Sequence, residues 1–342
     1  MPYEPFERVR IGRDDVEVTR LGFGTASIAG LFSAVDDKQA AATLDRAWQL
    51  GIRYFDVAPL YGYGTGERRL GVALRRHPRD TYVLSTKVGR LVRHERGIPQ
   101  GADIDRQELD GRTDAYYADA DDRRMVFDYS ADGVTRSIEE SLERLETDRI
   151  DIVFIHDPDD HWEAALDGAY PALHDLREQG VVRAIGAGMN QSAMLARFAR
   201  ETEMDVFLVA GRYTLLDQEA LPELLPLCLE RGISVLVGGV MNSGVLADPQ
   251  PGAHFDYGPA SPEVLDRARR LGDTCDRHGV PLRAAAMQFP LAHPAVAGLI
   301  AGVRRIDHLE EYPTLMRRSI PTALWDDLRA DGLIAADAPT PG

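Results

Sequence analysis

The chain of 342 residues has 39 lysine and arginine residues against 55 aspartate and glutamate residues, a formal net charge of −16, and 44% hydrophobic residues. This content supports a sizeable core, and the acidic balance argues against nucleic acid as a partner because acidic surfaces repel phosphate backbones. No stretch approaches the ~20 apolar residues of a membrane span, and two lone cysteines are typical of buried thiols in a reducing, cytoplasmic compartment.

The first predicted element is a β-hairpin over residues 8–19, which alternate in polarity around Gly12-Arg13-Asp14-Asp15. Strands and helices alternate after it. The predicted strands are 20–25, 52–56, 82–86, 150–155, 181–186, 206–209, 233–237 and 296–300. The predicted helices are 36–49, 67–76, 131–145, 164–179, 192–201, 221–231, 262–278 and 282–293. About eight such units close a parallel barrel, so we expect an α/β fold, a (β/α)8 TIM barrel forming a single domain over residues 1–342.

Two segments depart from this alternation. Residues 89–129 follow the third barrel strand as a long loop without a clear period, rich in Asp, Arg and Tyr. Long irregular loops in compact domains are usually lids or binding loops, so we expect this insertion at the active face, with Phe127 and Tyr129 reaching the substrate. A mobile, solvated excursion is the alternative. The Ala-, Pro- and Asp-rich segment 331–342 predicts a loose tail.

Chemically active side chains stand where consecutive strands end. Asp56 closes the second barrel strand, Tyr61 lies on the loop beyond it, Lys87 ends the third strand and His156 ends the fourth. A phenol titrates at ~10, and a nearby ammonium lowers that value. We therefore expect Tyr61 to exchange a proton with a carbonyl/alcohol pair, Lys87 to stabilise its phenolate, Asp56 to hold Lys87, and His156 to orient the reacting oxygen.

Two further motifs resemble known binding sites but do not predict them. The glycines of residues 62–66 do not form a dinucleotide fingerprint, because that motif needs an acid at the end of the next strand and Lys87 stands there. The sequence HDPDDH at 156–161 resembles a zinc ligand set. However, Pro158 breaks its geometry and no Cys or HExxH-like helix accompanies it, so we expect no metal.

The segments FDVAPLYGYGTGERRLG, LSTKVGR and DIVFIHDPDD resemble the aldo-keto reductase superfamily, whose catalytic tetrad is Asp, Tyr, Lys and His in this order. The nearest branch is that of the aldose 1-dehydrogenases for L-fucose, D-threo-aldose and L-galactose, with pyridoxal 4-dehydrogenase close to it. The resemblance implies NAD(P)-dependent oxidation of a sugar hemiacetal at C1 to a lactone. Pyridoxal oxidation, general aldehyde or ketone reduction, and a non-catalytic nucleotide-sensing subunit are the alternatives.

The resemblance also implies cofactor-binding positions. These are Gly24, Thr25, Asp56, Asn190, Gly238, Gly239, Met241, Asn242, Ser243, Gly302, Arg304 and His308. Asn190 would hold the nicotinamide carboxamide. Gly238 stands where many relatives stack an aromatic ring on the nicotinamide, and Tyr213 is either a candidate replacement or a packed loop residue.

The same resemblance predicts a preference for NAD over NADP. Gly302 and His308 occupy two places where NADP-preferring relatives carry basic side chains for the 2′-phosphate. Arg304 or Arg305 could restore NADP binding. The expected partner is a small-molecule sugar or aldehyde, and the expected oligomeric state is a monomer or a homodimer.

Overall fold

The computed structural model describes residues 2–12, 16–105, 108–109, 112–113, 117–118 and 121–342. Within this part of the chain, eight parallel strands form a closed barrel, which confirms the predicted fold class. In order these barrel strands are Leu21–Gly24, Tyr54–Asp56, Val83–Val88, Ile152–His156, Ala184–Met189, Val206–Ala210, Ser234–Gly238 and Val296–Ala301. The eighth pairs with the first, with Leu299 opposite Leu21, so no barrel edge remains open.

Helices pack around this barrel. Their bounds are Asp37–Leu50, Thr65–Leu74, Ala131–Leu145, Trp162–Ala164, Tyr170–Glu178, Ser192–Glu201, Leu224–Arg231, Pro262–Arg277, Leu282–Gln288, Ile306–Arg317 and Thr322–Ala330. The first begins where the Asp36 carboxylate accepts a hydrogen bond from the Gln39 amide at 2.7 Å, and it ends at Gly51 with φ of 110°. An aspartate before the first turn and a glycine after the last are common ways for a helix to begin and end. No helix in the described ranges is long and apolar enough to span a bilayer.

Several predicted boundaries differ from the structure. The fifth barrel strand starts at Ala184 rather than at residue 181, because Val181 and Val182 both bond back to the Leu176 carbonyl and finish the preceding helix. The predicted helix 164–179 contains a π-turn at Ala165–Ala169. The predicted helix 282–293 ends at Gln288, just before a short 3₁₀ turn at Pro290–Ala292, since proline cannot donate the next backbone hydrogen bond.

The N-terminal hairpin closes one end of the barrel. Strands Arg8–Ile11 and Val16–Thr19 pair antiparallel, as predicted, whereas residues 13–15 of the predicted turn lie outside the described part of the chain. Ile11, Val16 and Val18 are fully buried and pack in one cluster with side chains of the barrel strands. The cluster fills this end of the barrel with apolar side chains, leaving the opposite end for chemistry.

The insertion after the third barrel strand is more regular than the sequence indicates. Arg90–His94 pairs antiparallel with Arg123–Phe127, whose other side pairs with Ile104–Asp105. The prediction of an irregular loop is therefore wrong for these residues, which form a three-stranded sheet. The alternation of polar and apolar residues in these strands is weak because charged residues interrupt it. The sheet is held together by pairing between strands that are distant in the sequence. The prediction for 106–107, 110–111, 114–116 and 119–120 lies outside the described residues.

The C-terminal segment is also not a loose tail. Leu333, Ile334 and Ala338 are each at most 2% exposed, and the Arg267 guanidinium donates to the Leu333 carbonyl oxygen at 2.7 Å. The apolar residues in this Ala- and Pro-rich stretch are few, but they pack into the core beneath the last helices. Their burial overrides the loose character of the composition.

Candidate active site

The site is built on a buried ion pair between neighbouring barrel strands. Lys87 Nζ lies 2.8 Å from Asp56 Oδ2 and 3.0 Å from Asp56 Oδ1, and it also donates to the Val57 carbonyl oxygen at 3.0 Å. Both side chains are 2% exposed. Three acceptors therefore fix the ammonium in one place, as the sequence predicts for Asp56 and Lys87.

Tyr61 lies on the turn between the second barrel strand and helix Thr65–Leu74. Gly62 in this turn has φ of +62°, and a Cβ there would come within 2.5 Å of the Ala29 carbonyl oxygen, so that only glycine fits. The turn places the Tyr61 ring centroid 4.7 Å from Lys87 Nζ. The glycines of this loop therefore position the phenol.

His156 completes the group. It ends the fourth barrel strand, is 6% exposed, and its ring centroid lies 6.0 Å from that of Tyr61. Burial, followed by the positive charges of Arg90 and Lys87, lowers the pKa of His156 well below its usual value. The imidazole is therefore neutral near pH 7, so it can hydrogen-bond a substrate oxygen without carrying charge.

The electrostatics of Tyr61 differ from the prediction. We expected Lys87 to lower the pKa of the phenol, but burial raises it well above its usual value, and the negative charge of Asp56 adds to the effect. The Lys87 ammonium is already bound by Asp56 and lies over the face of the ring. The phenol therefore faces the ammonium together with the Asp56 carboxylate that binds it.

Two cavities meet at this group. The catalytic cavity, of about 350 Å³, is lined by Tyr61, Lys87 and His156, and the adjoining cavity has about 410 Å³. Both volumes are typical of small-molecule sites. The residues that line both are Ala26, Leu31, Tyr61, Asn190, Leu208, Ala210 and Tyr257. A ligand in the adjoining cavity would therefore reach a second ligand beside Tyr61.

The adjoining cavity brings together the predicted cofactor residues. Gly24, Asp56, Asn190, Gly238, Gly239, Met241, Asn242, Ser243, Gly302, Arg304 and His308 all line it. Thr25 is not among them, since its hydroxyl donates to the Asp56 carbonyl oxygen at 3.0 Å and is fully buried. A Cβ on Gly302 would lie 3.0 Å from Ser27 Oγ, so a side chain at this position would crowd the cavity wall. Backbone groups, an amide and an arginine together fit a phosphate-bearing dinucleotide.

Two of these side chains also hold the cavity wall. The Asn242 amide donates to the Gly211 carbonyl oxygen at 3.0 Å and its oxygen accepts from the Thr214 hydroxyl at 2.6 Å. Asn190 donates to the Ala210 carbonyl oxygen at 2.9 Å. The Asn242 side chain thus fixes the loop after the seventh barrel strand.

Three aromatic residues considered in the sequence line neither of these two cavities. Neither Phe127 nor Tyr129 lines a cavity, and the Tyr129 hydroxyl instead donates to the His156 carbonyl oxygen at 2.7 Å from behind the strand. Tyr213 is fully buried and packs against Phe289 with ring centroids 5.6 Å apart. Tyr129 and Tyr213 are buried in the core, because a large apolar surface gains most from full burial. Phe127 is partly buried, and its ring centroid lies 5.2 Å from the Arg90 guanidinium carbon.

Other residues that sequence reasoning missed do line the catalytic cavity. They are Arg90, Asp105, Tyr117, Asp157 and Tyr257. Asp157 belongs to the HDPDDH motif, which resembles a metal-ligand set, and Arg90 follows the LSTKVG segment directly. The signal that could have found Arg90 and Asp157 is that both lie next to the ends of barrel strands in the sequence. Asp105, Tyr117 and Tyr257 lie far along the chain from those ends and carry no local signal.

Comparisons with known proteins agree over nearly the whole chain. Residues 20–330 match the model of the Aldo/keto reductase family. The chain is 41% identical over 340 residues to pyridoxal 4-dehydrogenase of Microbacterium luteolum, covering 96% of this chain and 98% of that protein. It is 42% identical over 328 residues to D-threo-aldose 1-dehydrogenase of a Pseudomonas species, covering 95% and 96%. The solved aldo-keto reductase AKR11C1 from Bacillus halodurans, holo form, superposes with a TM-score of 0.74 at 26% identity over 97% of this chain and 98% of that one.

Proposed function

Because this chain belongs to the aldo/keto reductase family, and is therefore an NAD(P)-dependent oxidoreductase, we propose that it oxidises C1 of a cyclic hemiacetal to a lactone. The observation that carries the proposal is the meeting of two cavities at Tyr61, with Lys87, Asp56 and His156 around it. One cavity is lined by the predicted cofactor residues, and the other can hold a small polar ring.

The relatives favour this substrate class. Two proteins at 41% and 42% identity are named for pyridoxal and for D-threo-aldose. Both compounds carry an aldehyde and a hydroxyl group that can close on it to form a cyclic hemiacetal. Loss of hydride from the hemiacetal carbon and of a proton from its hydroxyl turns either ring into a lactone. One reaction type therefore accounts for both names.

Each residue of the catalytic group has a separate role in the proposed reaction. The residues that line the adjoining cavity would hold a nicotinamide dinucleotide, which would supply the hydride-accepting chemistry for the hemiacetal carbon. Tyr61, as the phenolate, accepts the hydroxyl proton as the carbon–oxygen double bond forms. Lys87, held by Asp56, keeps a positive charge beside the phenolate. The neutral His156 hydrogen-bonds the reacting oxygen and fixes its position.

We further propose that NAD⁺ is preferred over NADP⁺. Gly302 offers no side chain to a 2′-phosphate, and the two arginines that could replace it have other partners. Arg304 bonds the Ser33 hydroxyl, and Arg305 pairs with Asp307 at 2.5 Å. A charge-assisted hydrogen bond contributes roughly 1.5–3 kcal/mol, so one missing partner shifts preference by about tenfold.

One screen tests both proposals. L-Fucose, D-arabinose, L-galactose, pyridoxal and simple aldehydes are each incubated with NAD⁺ and with NADP⁺ for oxidation, and the aldehydes also with NADH and with NADPH for reduction, while reduced cofactor is followed by absorbance. We expect oxidation of at least one hemiacetal, with a lactone as product and a kcat/KM ratio that favours NAD⁺. Activity confined to aldehyde reduction would contradict the hemiacetal proposal, and a ratio favouring NADP⁺ by more than tenfold would contradict the cofactor proposal.

A further inference from the structure

We propose that Arg90, Asp105 and Asp157 form a hydroxyl clamp that selects a neutral polyhydroxylated ring over deoxygenated or anionic substrates. The inference deepens the proposed function and rests on it for the reacting carbon. It names the part of the cavity that recognises the rest of the substrate.

The clamp is a buried cluster drawn from separate elements. Arg90 comes from the first strand of the inserted sheet, Asp105 from another strand of that sheet, and Asp157 from the residue after His156. Arg90 Nε lies 3.1 Å from Asp105 Oδ2, and Arg90 Nη1 lies 3.1 Å from Asp157 Oδ2. Their side chains are 8%, 11% and 26% exposed, and all three line the catalytic cavity.

A purely structural role does not account for this position. The inserted sheet has a second link to the barrel, in which His161 Nε2 lies 2.8 Å from Asp103 Oδ2. The Asp103 side chain is 63% exposed, and neither partner lines the cavity. A link that only ties the sheet down can thus be made at the surface. Burying one cation and two carboxylates against a cavity is costly, which indicates a ligand for them.

The chemistry of the clamp suits hydroxyl groups. Carboxylates accept hydrogen bonds and a planar guanidinium donates up to five, so together they can satisfy both the hydrogens and the lone pairs of neighbouring hydroxyls. Asp157 Oδ2 also lies 3.4 Å from His156 Nε2. The clamp therefore begins next to the reacting oxygen, where the hydroxyl on the adjacent ring carbon would lie.

The charge of the clamp opposes anions. Lys87 is paired with Asp56, and Arg90 faces two carboxylates, so the catalytic cavity carries one excess negative charge when these groups are ionised. A phosphate or carboxylate on the substrate would enter a negative, poorly hydrated space. Neutral hydroxylated rings face no such repulsion.

The test compares Asp105→Asn with Asp103→Asn, the matched control from the same insertion outside the cavity. The probes are D-arabinose, 2-deoxy-D-ribose and D-arabinose 5-phosphate, measured as kcat/KM with NAD⁺. A site built to bond a hydroxyl can reject the analogue lacking it by about 10⁴–10⁵-fold. We expect wild type and Asp103→Asn to prefer D-arabinose to its deoxy analogue, and Asp105→Asn to lose at least tenfold of that preference. Acceptance of the phosphate relative to D-arabinose should rise by a similar factor.

An Asp105→Asn protein with the wild-type melting temperature and unchanged discrimination would overturn the clamp. If this variant does not fold, Arg90→Lys keeps the cation but loses the planar fork, and it must show the same loss of discrimination. Failure of the proposed function is separable. An enzyme that oxidises no hemiacetal should still reduce D-glyceraldehyde in preference to propanal, and absence of that preference would also contradict the clamp.

Discussion

At the residue scale, the side chains of the catalytic group are either paired with an opposite charge or neutral. Lys87 has the Asp56 carboxylate and a backbone carbonyl as partners, and His156 is neutral because burial lowers its pKa. The phenol of Tyr61 is also neutral at rest, since burial raises its pKa. The free enzyme thus holds Tyr61 as the phenol, which must lose its proton to solvent before it can accept the proton of the substrate hydroxyl.

Tyr61→Phe should abolish hydride transfer and leave cofactor binding intact, because only the phenolic oxygen is removed. General acid–base groups typically contribute ~10²–10⁴-fold, and kcat should fall by that factor. Turnover is followed by cofactor absorbance, and binding by quenching of protein fluorescence. Tyr82→Phe, which removes a hydroxyl remote from both cavities, serves as the control. Activity within threefold of wild type would remove Tyr61 from the mechanism.

The pH dependence has a definite sign. Oxidation needs deprotonated Tyr61, and its pKa is raised by burial, so the oxidation rate should climb with pH. Lys87→Met removes the cation 4.7 Å from the ring and leaves Asp56 without its partner, which both disfavour the phenolate. The rising limb of the kcat/KM profile should therefore move to higher pH. Lys38→Met, at an exposed helix position, should leave the profile where it is, and an active Lys87→Met enzyme with an unshifted profile would contradict the coupling.

At the scale of elements, two ion pairs join the same neighbouring helices in different surroundings. Arg144 Nε lies 2.6 Å from Glu67 Oε2, and the Glu67 side chain is fully buried. Arg75 pairs with Glu146 at 2.7 Å, with both side chains about half exposed. The first pair lies behind the third barrel strand, where Glu67 also accepts from the Thr86 hydroxyl at 3.0 Å. It therefore supports the strand that carries Lys87.

Arg144→Ala should cost about 3–5 kcal/mol of unfolding free energy, because it leaves a buried carboxylate without its cation. Arg75→Ala should cost about 0–1 kcal/mol, since exposed pairs contribute little. The two variants form a matched set, compared by denaturant or thermal unfolding. Equal losses would show that burial of Glu67 does not decide the cost.

At the scale of the whole molecule, the C-terminal segment belongs to the core. Leu333 is 1% exposed, whereas Leu229 on helix Leu224–Arg231 is 52% exposed. Leu333→Ala should lower the free energy of unfolding by about 2–5 kcal/mol through lost burial and a cavity. Leu229→Ala should change it by about 0.5 kcal/mol or less. Thermal unfolding of both variants tests this prediction. A Leu333→Ala protein as stable as the Leu229→Ala protein would mean that the segment contributes nothing to the core.

The sequence by itself determined the barrel and the approximate positions of its strands. Apolar runs of strand length alternate with helical periods, and caps such as Asp36 and Gly51 mark where helices start and stop. These signals are local, so they are readable without coordinates. Asp56, Lys87 and His156 follow from the same reasoning, because parallel strands in one barrel must end at one face.

Only the tertiary structure decided the rest, because it depends on contacts between distant positions. The inserted sheet, the meeting of Arg90 with Asp105 and Asp157, and the packing of Leu333 all join residues that no local period relates. The pKa of Tyr61 is likewise raised by how deeply neighbouring elements bury it, and by the negative charge of the nearby Asp56. Periodicity predicts which face of an element is buried, whereas burial and pairing across the fold decide what each charged or aromatic side chain can do there.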